Sequence, residues 1–491
     1  MDSYTNLNFE NELKASTRVL IVNPVYTNWS YFLTSEVSIR SKKIAQNVKW
    51  VNIATKDKRH MYINRNDYMP RYLYRNSTKH VVKLLESLNI EVDSNFTGLI
   101  AGHSNITFNT IEELRNFRYK NINLGAMLFS SIASSKGTTS FGLADIKELV
   151  EDYIVRGFSM HSRVEREISE YLPDLILTTN DRLMGSALTV LTAKELNIPY
   201  RIVYFGSQKN KIMDYSTSLY STTEWQKNIK HFWINTPPDE LNHRHLAKKV
   251  DEFGSKPPID SRSYLSSQIE GKTIALKNNT CVFYAQSEHE HSAWFIDPRP
   301  GAFNNQYEAF NALQEITKQL GWHLILKYHP VRFGHSPNSN KTISNVDWQQ
   351  IQIDDSVLQI PSDSDLDTYS LINNSDINIV WSSTVGLESI ARGKKTLVLG
   401  NPIWLDETWG IHAWSEKNLL AKFHDGLPLI NKSELNAWIW FSENHGSRCE
   451  YVQFIDDDIF IIGKKIIIKR IYFKIIYFCY KKLTRVLNIR S

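Results

Sequence analysis

Cysteine is scarce in this chain: Cys281, Cys449 and Cys479 are the only three in 491 residues. They show no CxxC spacing and no nearby histidine pattern. That argues against a disulfide framework and a structural zinc site, and it fits a reducing compartment. The opening stretch MDSYTNLNFENELKAS carries acids early and lacks an apolar core of signal-peptide length, so a secretory leader is not expected. There is no Walker sequence and no GxSxG elbow, and Gly185 and Gly206 do not form a GxGxxG dinucleotide fingerprint. No repeat period is visible. With 57 basic against 52 acidic side chains, the formal charge of +5 is too small to mark a nucleic-acid binder. Neither a nucleic-acid partner, a metal nor a cofactor is expected.

What the sequence does contain is length, apolar residues and an alternating rhythm. A chain of this length exceeds what one core usually supports, and 42% hydrophobic residues suffice to bury more than one. TRVLIVNP (17–24) and KWVNIAT (49–55) read as buried strands, and 79–88 as a helix. Residues 110–171 read as mostly helical, with a Ser/Gly break at 134–139. Pro173 to Gly206 reads strand, polar turn, helix, strand, which is a βαβ unit and requires a parallel sheet. The rhythm restarts at TCVFYAQ (280–286) and continues through WHLILKY (322–328), DINIVW (376–381) and KTLVLG (395–400), with helices at 305–320, 365–373 and 384–392. The fold class expected is α/β: two Rossmann-like domains facing a cleft. The boundaries expected are 1–253 for the first domain, 254–266 (GSKPPIDSRS and its flank) for a linker, 267–458 for the second domain and 459–491 for a basic helical tail.

In such sheets ligands bind beyond the carboxyl ends of the strands. Two clusters stand there. Lys327, His329 and Pro330 end one strand. Ser382, Ser383, Thr384, Gly386 and Glu388 end another and open a helix. A helix start offers free N–H groups and a positive dipole end to a phosphate, the hydroxyls add donors, and His329 could hold a phosphate oxygen as a nucleotide departs. A serine at a helix start is also an ordinary N-cap, and Glu388 also reads as a solvated helix carboxylate. For a catalytic base, Glu288 in Ser287-Glu288-His289-Glu290-His291 and Asp181 at the end of LILTTN both sit at strand ends. Asn180-Asp181 equally reads as a turn and cap. The alternating Glu and His do not make an HExxH metal pair.

The elements LKYHP and VWSSTVGLESIARGKKTLVLGNP resemble the C-terminal domains of capsular-polysaccharide Kdo transferases, bacterial CMP-sialyltransferases and CDP-glycerol glycerophosphotransferases, over about Cys281 to Pro402. These are GT-B-like enzymes. The resemblance implies that His329 and Pro330 form a His-Pro motif, and Ser382, Ser383 and Thr384 a hydroxyl motif, that bind the phosphate of a cytidine nucleotide. It implies a glycosyltransferase of capsular or lipopolysaccharide biosynthesis, with a nucleotide-sugar donor and a glycan or lipid-linked glycan acceptor. Three alternatives stay open: phosphotransfer from a CDP-alditol, a non-catalytic scaffold that retains the fold, and a hydrolytic or epimerising enzyme on a nucleotide sugar. The acidic-acidic-Gly motif that supplies the base in the sialyltransferases is missing from the first half.

From Ile459 the chain carries nine Lys/Arg and no acid, and its longest charge-free run, Ile475 to Tyr480, is far too short to span a bilayer. Basic residues mixed with Ile, Phe and Tyr suit an anionic membrane surface. The expectation is a cytoplasmic protein, peripheral at the inner face of the cell membrane of a bacterium.

Overall fold

A computed structural model of the chain describes residues 8–24, 28–55, 81–99, 106–136, 139–206, 210–219, 221–255, 268–287, 303–329, 347–456, 459–462 and 466–467. Two main sheets organise them. The first contains β1 (Arg18–Asn23), β2 (Asn47–Asn52), β3 (Glu91–Asp93), β4 (Leu175–Thr179), β5 (Tyr200–Phe205) and β6 (Lys211–Tyr215). The second contains β7 (Thr280–Tyr284), β8 (His323–Lys327), β9 (Leu358–Ile360), β10 (Ile377–Val380) and β11 (Thr396–Val398). A two-residue strand, β12 (Ser447–Arg448), rejoins the first sheet, whose order is β12-β6-β5-β4-β1-β2-β3; the second runs β11-β10-β7-β8-β9.

Every pairing in the second sheet is parallel, as are those from β5 through β4 and β1 to β3 in the first. A parallel sheet must be covered on both faces, and the strand sequences meet that requirement residue by residue. Val19 and Ile21 of β1 enter a core with Phe32 and Leu33 of the Asn28–Ile44 helix, while Leu20 and Val22 enter another with Val164 and Ile168 of the Leu143–Tyr171 helix. Cys281 and Phe283 of β7 pack with Phe310 and Leu313 of the Gln306–Leu320 helix. Val282 and Tyr284 pack with Leu246, Val250, Leu387 and Ile439 on the opposite face. The α/β architecture with two Rossmann-like sheets is therefore present as expected. All eight apolar runs named as strands or strand partners in the two halves lie in these sheets.

The polypeptide crosses between the sheets twice. The His243–Ser255 helix precedes the proline-rich stretch, yet its Leu246 and Val250 belong to the core of the second sheet. Gly254 lies so close to the Val385–Ala391 helix that a Cβ there would be 3.0 Å from the Ala391 carbonyl oxygen. Gly254 and Ser255 thus end a packed helix, and residues 256–266 of the expected linker lie outside the described residues. The return crossing is made by the Asn436–Asn444 helix, where Phe441 meets Phe232 of the Thr222–Asn235 helix edge-on at 5.8 Å between ring centroids. β12 then pairs antiparallel with β6, Ser447 opposite Ile212.

A buried carboxylate secures this return. Glu36 on the Asn28–Ile44 helix is fully buried and accepts the backbone N–H groups of Glu450, Tyr451 and Val452 at 2.8, 2.9 and 3.0 Å. Arg40, one turn on, donates to Glu36 at 2.8 Å and reaches Ser447 Oγ at 3.0 Å and the Arg448 carbonyl. Burial pushes the Glu36 carboxyl upward, and the N–H groups and Arg40 pull it back.

Beyond the clamp the structure departs from expectation. β13 (Val452–Asp456), β14 (Ile459–Ile462) and β15 (Ile466–Ile467) form a small antiparallel sheet. The first residues of the basic tail are therefore strand and not helix. The runs IFII and II are rich in β-branched isoleucine, and that preference outweighs the imperfect helical periodicity. Residues 468–491 lie outside the described residues. Among the described residues no helix is long and apolar enough to cross a membrane.

Removing one partner of a buried, hydrogen-bonded charge pair leaves the other uncompensated. Glu36→Ala is expected to destabilise the chain by about 3–5 kcal/mol, read from chemical denaturation. A midpoint equal to that of the unmodified chain would show that the clamp does not hold the return segment.

Candidate functional site

The carboxyl ends of β7 to β11 form one edge of the second sheet, and the candidate residues gather along it. Each strand stops where an apolar run gives way to a polar residue: Gln286 and Ser287 after β7, His329 after β8, Ser362 after β9, Ser382 to Thr384 after β10, Asn401 after β11. Strand pairing fixes these ends in space. The Ala285 N–H donates to the Lys327 carbonyl at 2.9 Å, the Tyr328 N–H to the Ile360 carbonyl at 3.0 Å, and the Gly400 N–H to the Trp381 carbonyl at 2.9 Å. The Tyr328 hydroxyl also donates to Gln359 Oε1 at 2.6 Å, so the backbone entering His329 is held from both sides.

His329 and the serine turn occupy the same edge, but β7 lies between their strands. Two strand spacings separate them by about 10 Å, a gap wide enough for a phosphate group with hydrogen bonds on both sides. Gln286 stands in that gap. Its Oε1 accepts the Ser382 N–H at 3.1 Å, so that donor is already used.

The helix start differs from what the sequence suggests. The Val385–Ala391 helix has seven residues, and Ser383 satisfies its first turn from within. Ser383 Oγ accepts the Val385 N–H at 3.3 Å and its carbonyl accepts the Gly386 N–H at 3.1 Å. Helix N–H groups and dipole therefore offer a phosphate less than expected, and side-chain groups must supply the rest. Two donors are available: Ser362 Oγ and Ser382 Oγ are buried and have no hydrogen-bond partner among the described residues, whereas Asn401 Oδ1, buried and likewise without one, is an acceptor. Ser362 and Ser382 are only 2% and 8% exposed. Thr384 is exposed and Ser383 half-buried.

Two glycines let this edge close up. A Cβ on Gly400 would stand 2.5 Å from the Trp381 carbonyl oxygen and 2.8 Å from Ser382 Oγ. A Cβ on Gly386 would stand 2.6 Å from the Trp404 ring. Gly386 thus serves packing against Trp404.

The remaining candidates divide. Lys327 is buried, its Nζ donates to the Pro361 carbonyl at 3.1 Å, and burial lowers its ammonium to about 8. It braces the turn that carries Ser362. Glu388 is buried, with its carboxyl pushed up to about 7 by burial and moderated by Tyr369 and Arg392. The guanidinium of Arg392 lies over the Tyr369 ring at 4.5 Å. Glu388 is therefore no solvated helix carboxylate; it sits in an intramolecular cluster. Glu288, with the Glu and His residues after it, and Pro330 lie outside the described residues.

Asp181 belongs to the other sheet, two residues beyond β4. The turn puts Asn180 in the left-handed region at φ 62°, which asparagine tolerates, and the Arg182 N–H donates to its Oδ1 at 2.7 Å. The Asp181 carboxyl is 8% exposed, and burial pushes it up to about 6, partly offset by the Ser218 hydroxyl and the Leu219 N–H that face it. Three residues beyond Leu219, Thr222 Oγ1 accepts from Asn401 Nδ2 at 2.6 Å. The segment against Asp181 thus touches the carboxyl edge of the second sheet beside Gly400.

Sequence reasoning named His329, the serine turn and Asp181 as candidates; it did not name Gln286, Ser362 or Asn401. The Asn401-Pro402 pair after LVLG was a readable strand-end signal; the three-residue strand before Ser362 was not.

Residues 301–424 match the family model described as capsule polysaccharide biosynthesis protein. No curated protein matches the chain. Among solved structures the chain is similar to two of Thermosulfurimonas dismutans KpsC. The beta Kdo 2,4 transferase is 12% identical, with 54% of this chain and 78% of that one covered and a TM-score of 0.34. The beta Kdo 2,7 transferase is 14% identical, with 61% and 87% covered and a TM-score of 0.32. Methanocaldococcus jannaschii UDP-GlcNAc 2-epimerase is 12% identical, with 86% and 98% covered and a TM-score of 0.28. Over residues 301–424, which carry His329, Ser362, the serine turn and Asn401, this chain is thus similar to capsule polysaccharide biosynthesis proteins.

Proposed function

We propose that the chain is a GT-B glycosyltransferase of surface polysaccharide biosynthesis that moves a sugar from a CMP-linked donor to a glycan acceptor. The observation that carries this reading is the pair of buried hydroxyls, Ser362 and Ser382, that have no hydrogen-bond partner among the described residues at the ends of β9 and β10, inside the stretch that matches the capsule-biosynthesis model. A buried hydroxyl without a partner costs stability. A phosphate is a ligand with enough acceptor oxygens to satisfy several hydroxyls at once.

In this reading the half ending near 253 holds the acceptor and the half from about 267 holds the donor. The donor phosphate lies between His329 and the turn 382–384, with Ser362 and Ser382 donating to its oxygens. Asp181 faces the acceptor. In a direct displacement the acceptor hydroxyl oxygen attacks the anomeric carbon and its proton passes to the Asp181 carboxylate. The bond from that carbon to the phosphate oxygen breaks, its electron pair leaves with the nucleotide, and His329 neutralises the departing phosphate. A base that titrates near 6 is mostly ionised at neutral pH and still takes up a proton readily. The nine Lys/Arg from Ile459 onward support contact with an anionic membrane surface, where a lipid-linked acceptor would be met.

Two predictions follow from the site. Calorimetric titration is expected to show CMP binding, weakened at least about tenfold in Ser382→Ala, because hydrogen bonds to charged groups contribute about 1.5–3 kcal/mol. His329→Ala is expected to abolish transfer while the melting temperature is kept. Equal CMP affinity in Ser382→Ala, or full transfer by His329→Ala, would remove the phosphate site from this edge.

The Asp181 prediction joins activity to stability. Its folded carboxyl titrates near 6, above the ordinary 3.8, so the folded chain holds this proton more tightly than the unfolded chain. The protonated form favours folding, and that advantage is lost as pH rises through about 6. Asp181→Asn is therefore expected to be more stable than the parent at pH 8, by roughly 1–3 kcal/mol, and close to it at pH 4. Its kcat should fall at least about 100-fold. A variant that is less stable at pH 8, or one that keeps its kcat, contradicts the assignment.

A further inference from the structure

We propose that Gln286 is the residue that positions the serine turn for the donor phosphate, and that Gln306 holds Gln286 in place; this rests on the donor-site reading above. Gln286 follows β7, the central strand of the second sheet, and nothing about its residue type marks it in the sequence. Its environment does. The Gln286 backbone N–H donates to Gln306 Oε1 at 3.0 Å, and Gln306 Nε2 donates back to the Gln286 carbonyl at 2.9 Å. One side-chain amide thus closes both hydrogen-bonding groups of one residue's main chain. Gln306 is itself fully buried at the first position of the Gln306–Leu320 helix, whose start is capped by Asn305 Oδ1 accepting from Tyr307 and Glu308 at 3.0 and 2.9 Å.

With its main chain fixed, Gln286 extends its side chain across the sheet edge and accepts the Ser382 N–H at 3.1 Å. That bond joins the end of β7 to the end of β10 beyond the last ladder pair, Val380 opposite Tyr284. It anchors the main chain of Ser382, the residue whose buried Oγ has no partner among the described residues. A neutral amide suits this place. An anion could accept the same N–H, but it would put a negative charge in the gap that a phosphate must enter.

The inference separates from a general packing role through charge. Gln286→Glu keeps an acceptor for the Ser382 N–H and nearly the same shape. Gln286→Leu removes the acceptor. Isothermal titration of the full chain with CMP and with cytidine tests both. The expected result is CMP affinity reduced at least about tenfold in each variant, with cytidine affinity within about twofold of the parent. For Gln286→Glu the melting temperature should be kept, and transfer assays should show a raised donor KM at nearly unchanged kcat. CMP affinity unchanged in either variant, or CMP and cytidine weakened together, overturns the positioning role. Should the unmodified chain bind neither CMP nor UDP, the donor-site reading fails and takes this inference with it. Should it bind CMP and the variants bind it equally, the donor-site reading stands and only the role of Gln286 falls.

Discussion

A buried hydroxyl that lacks a hydrogen-bond partner costs about 1–3 kcal/mol. Among the described residues, two serine hydroxyls at the ends of β9 and β10 in the second sheet are of this kind, and an amide oxygen at the end of β11 also lacks a partner. Other groups along the same edge are paired: Gln286 accepts the Ser382 N–H, Lys327 donates to the Pro361 carbonyl, and Ser383 accepts from the first turn of its own helix. The contrast gives the edge its meaning. These backbone groups are paired internally, while the two serine hydroxyls are buried without a partner among the described residues.

The same edge is bound to the other half of the chain. Asn401 reaches Thr222, and the residues just before Thr222 line the Asp181 carboxyl. The return crossing through Phe441 and the clamp of Glu36 and Arg40 fix the far end of that half. An acid whose carboxyl is pushed up by burial, and a row of phosphate-suited hydroxyls, thereby stand on opposite sides of one short bridge. Both features are costly to folding, which is the usual relation between stability and a working site.

Much of the fold was legible because buried parallel strands announce themselves. LIV, ILTT, VFY, LILK and INIV are buried, mostly apolar runs that soon give way to Asn, Gln, His or Ser, and each is a strand. The edges were less legible. β6 is KIMDY, with one aspartate facing inward, and β12 has two residues; neither has a pattern long enough to read. The tail misled because a run that is isoleucine-rich and basic satisfies two descriptions, and pairing decided for strand at 459–467. For the site, strand ends with a chemically distinctive residue, His329 and Asp181, could be named from sequence. Asn401 before Pro402 offered a similar signal, but Gln286 and Ser362 did not, because their place at the edge depends on which strand stands next to which, and strand order across a parallel sheet is not written in the local sequence. The helix dipole at Val385 was overrated for a related reason: only the structure shows that Ser383 consumes the first two N–H groups.

The central claim is that one phosphate sits at the carboxyl edge of the second sheet, between His329 and Ser382. A crystal structure of the chain with CMP tests it most directly. The account predicts phosphate oxygens within hydrogen-bond reach of Ser382 Oγ, at about 2.5–3.0 Å, with Ser362 Oγ and His329 lining the same phosphate and the Gln286–Ser382 bond intact. CMP bound elsewhere on the chain, or with its phosphate turned away from Ser382 into solvent, would contradict it.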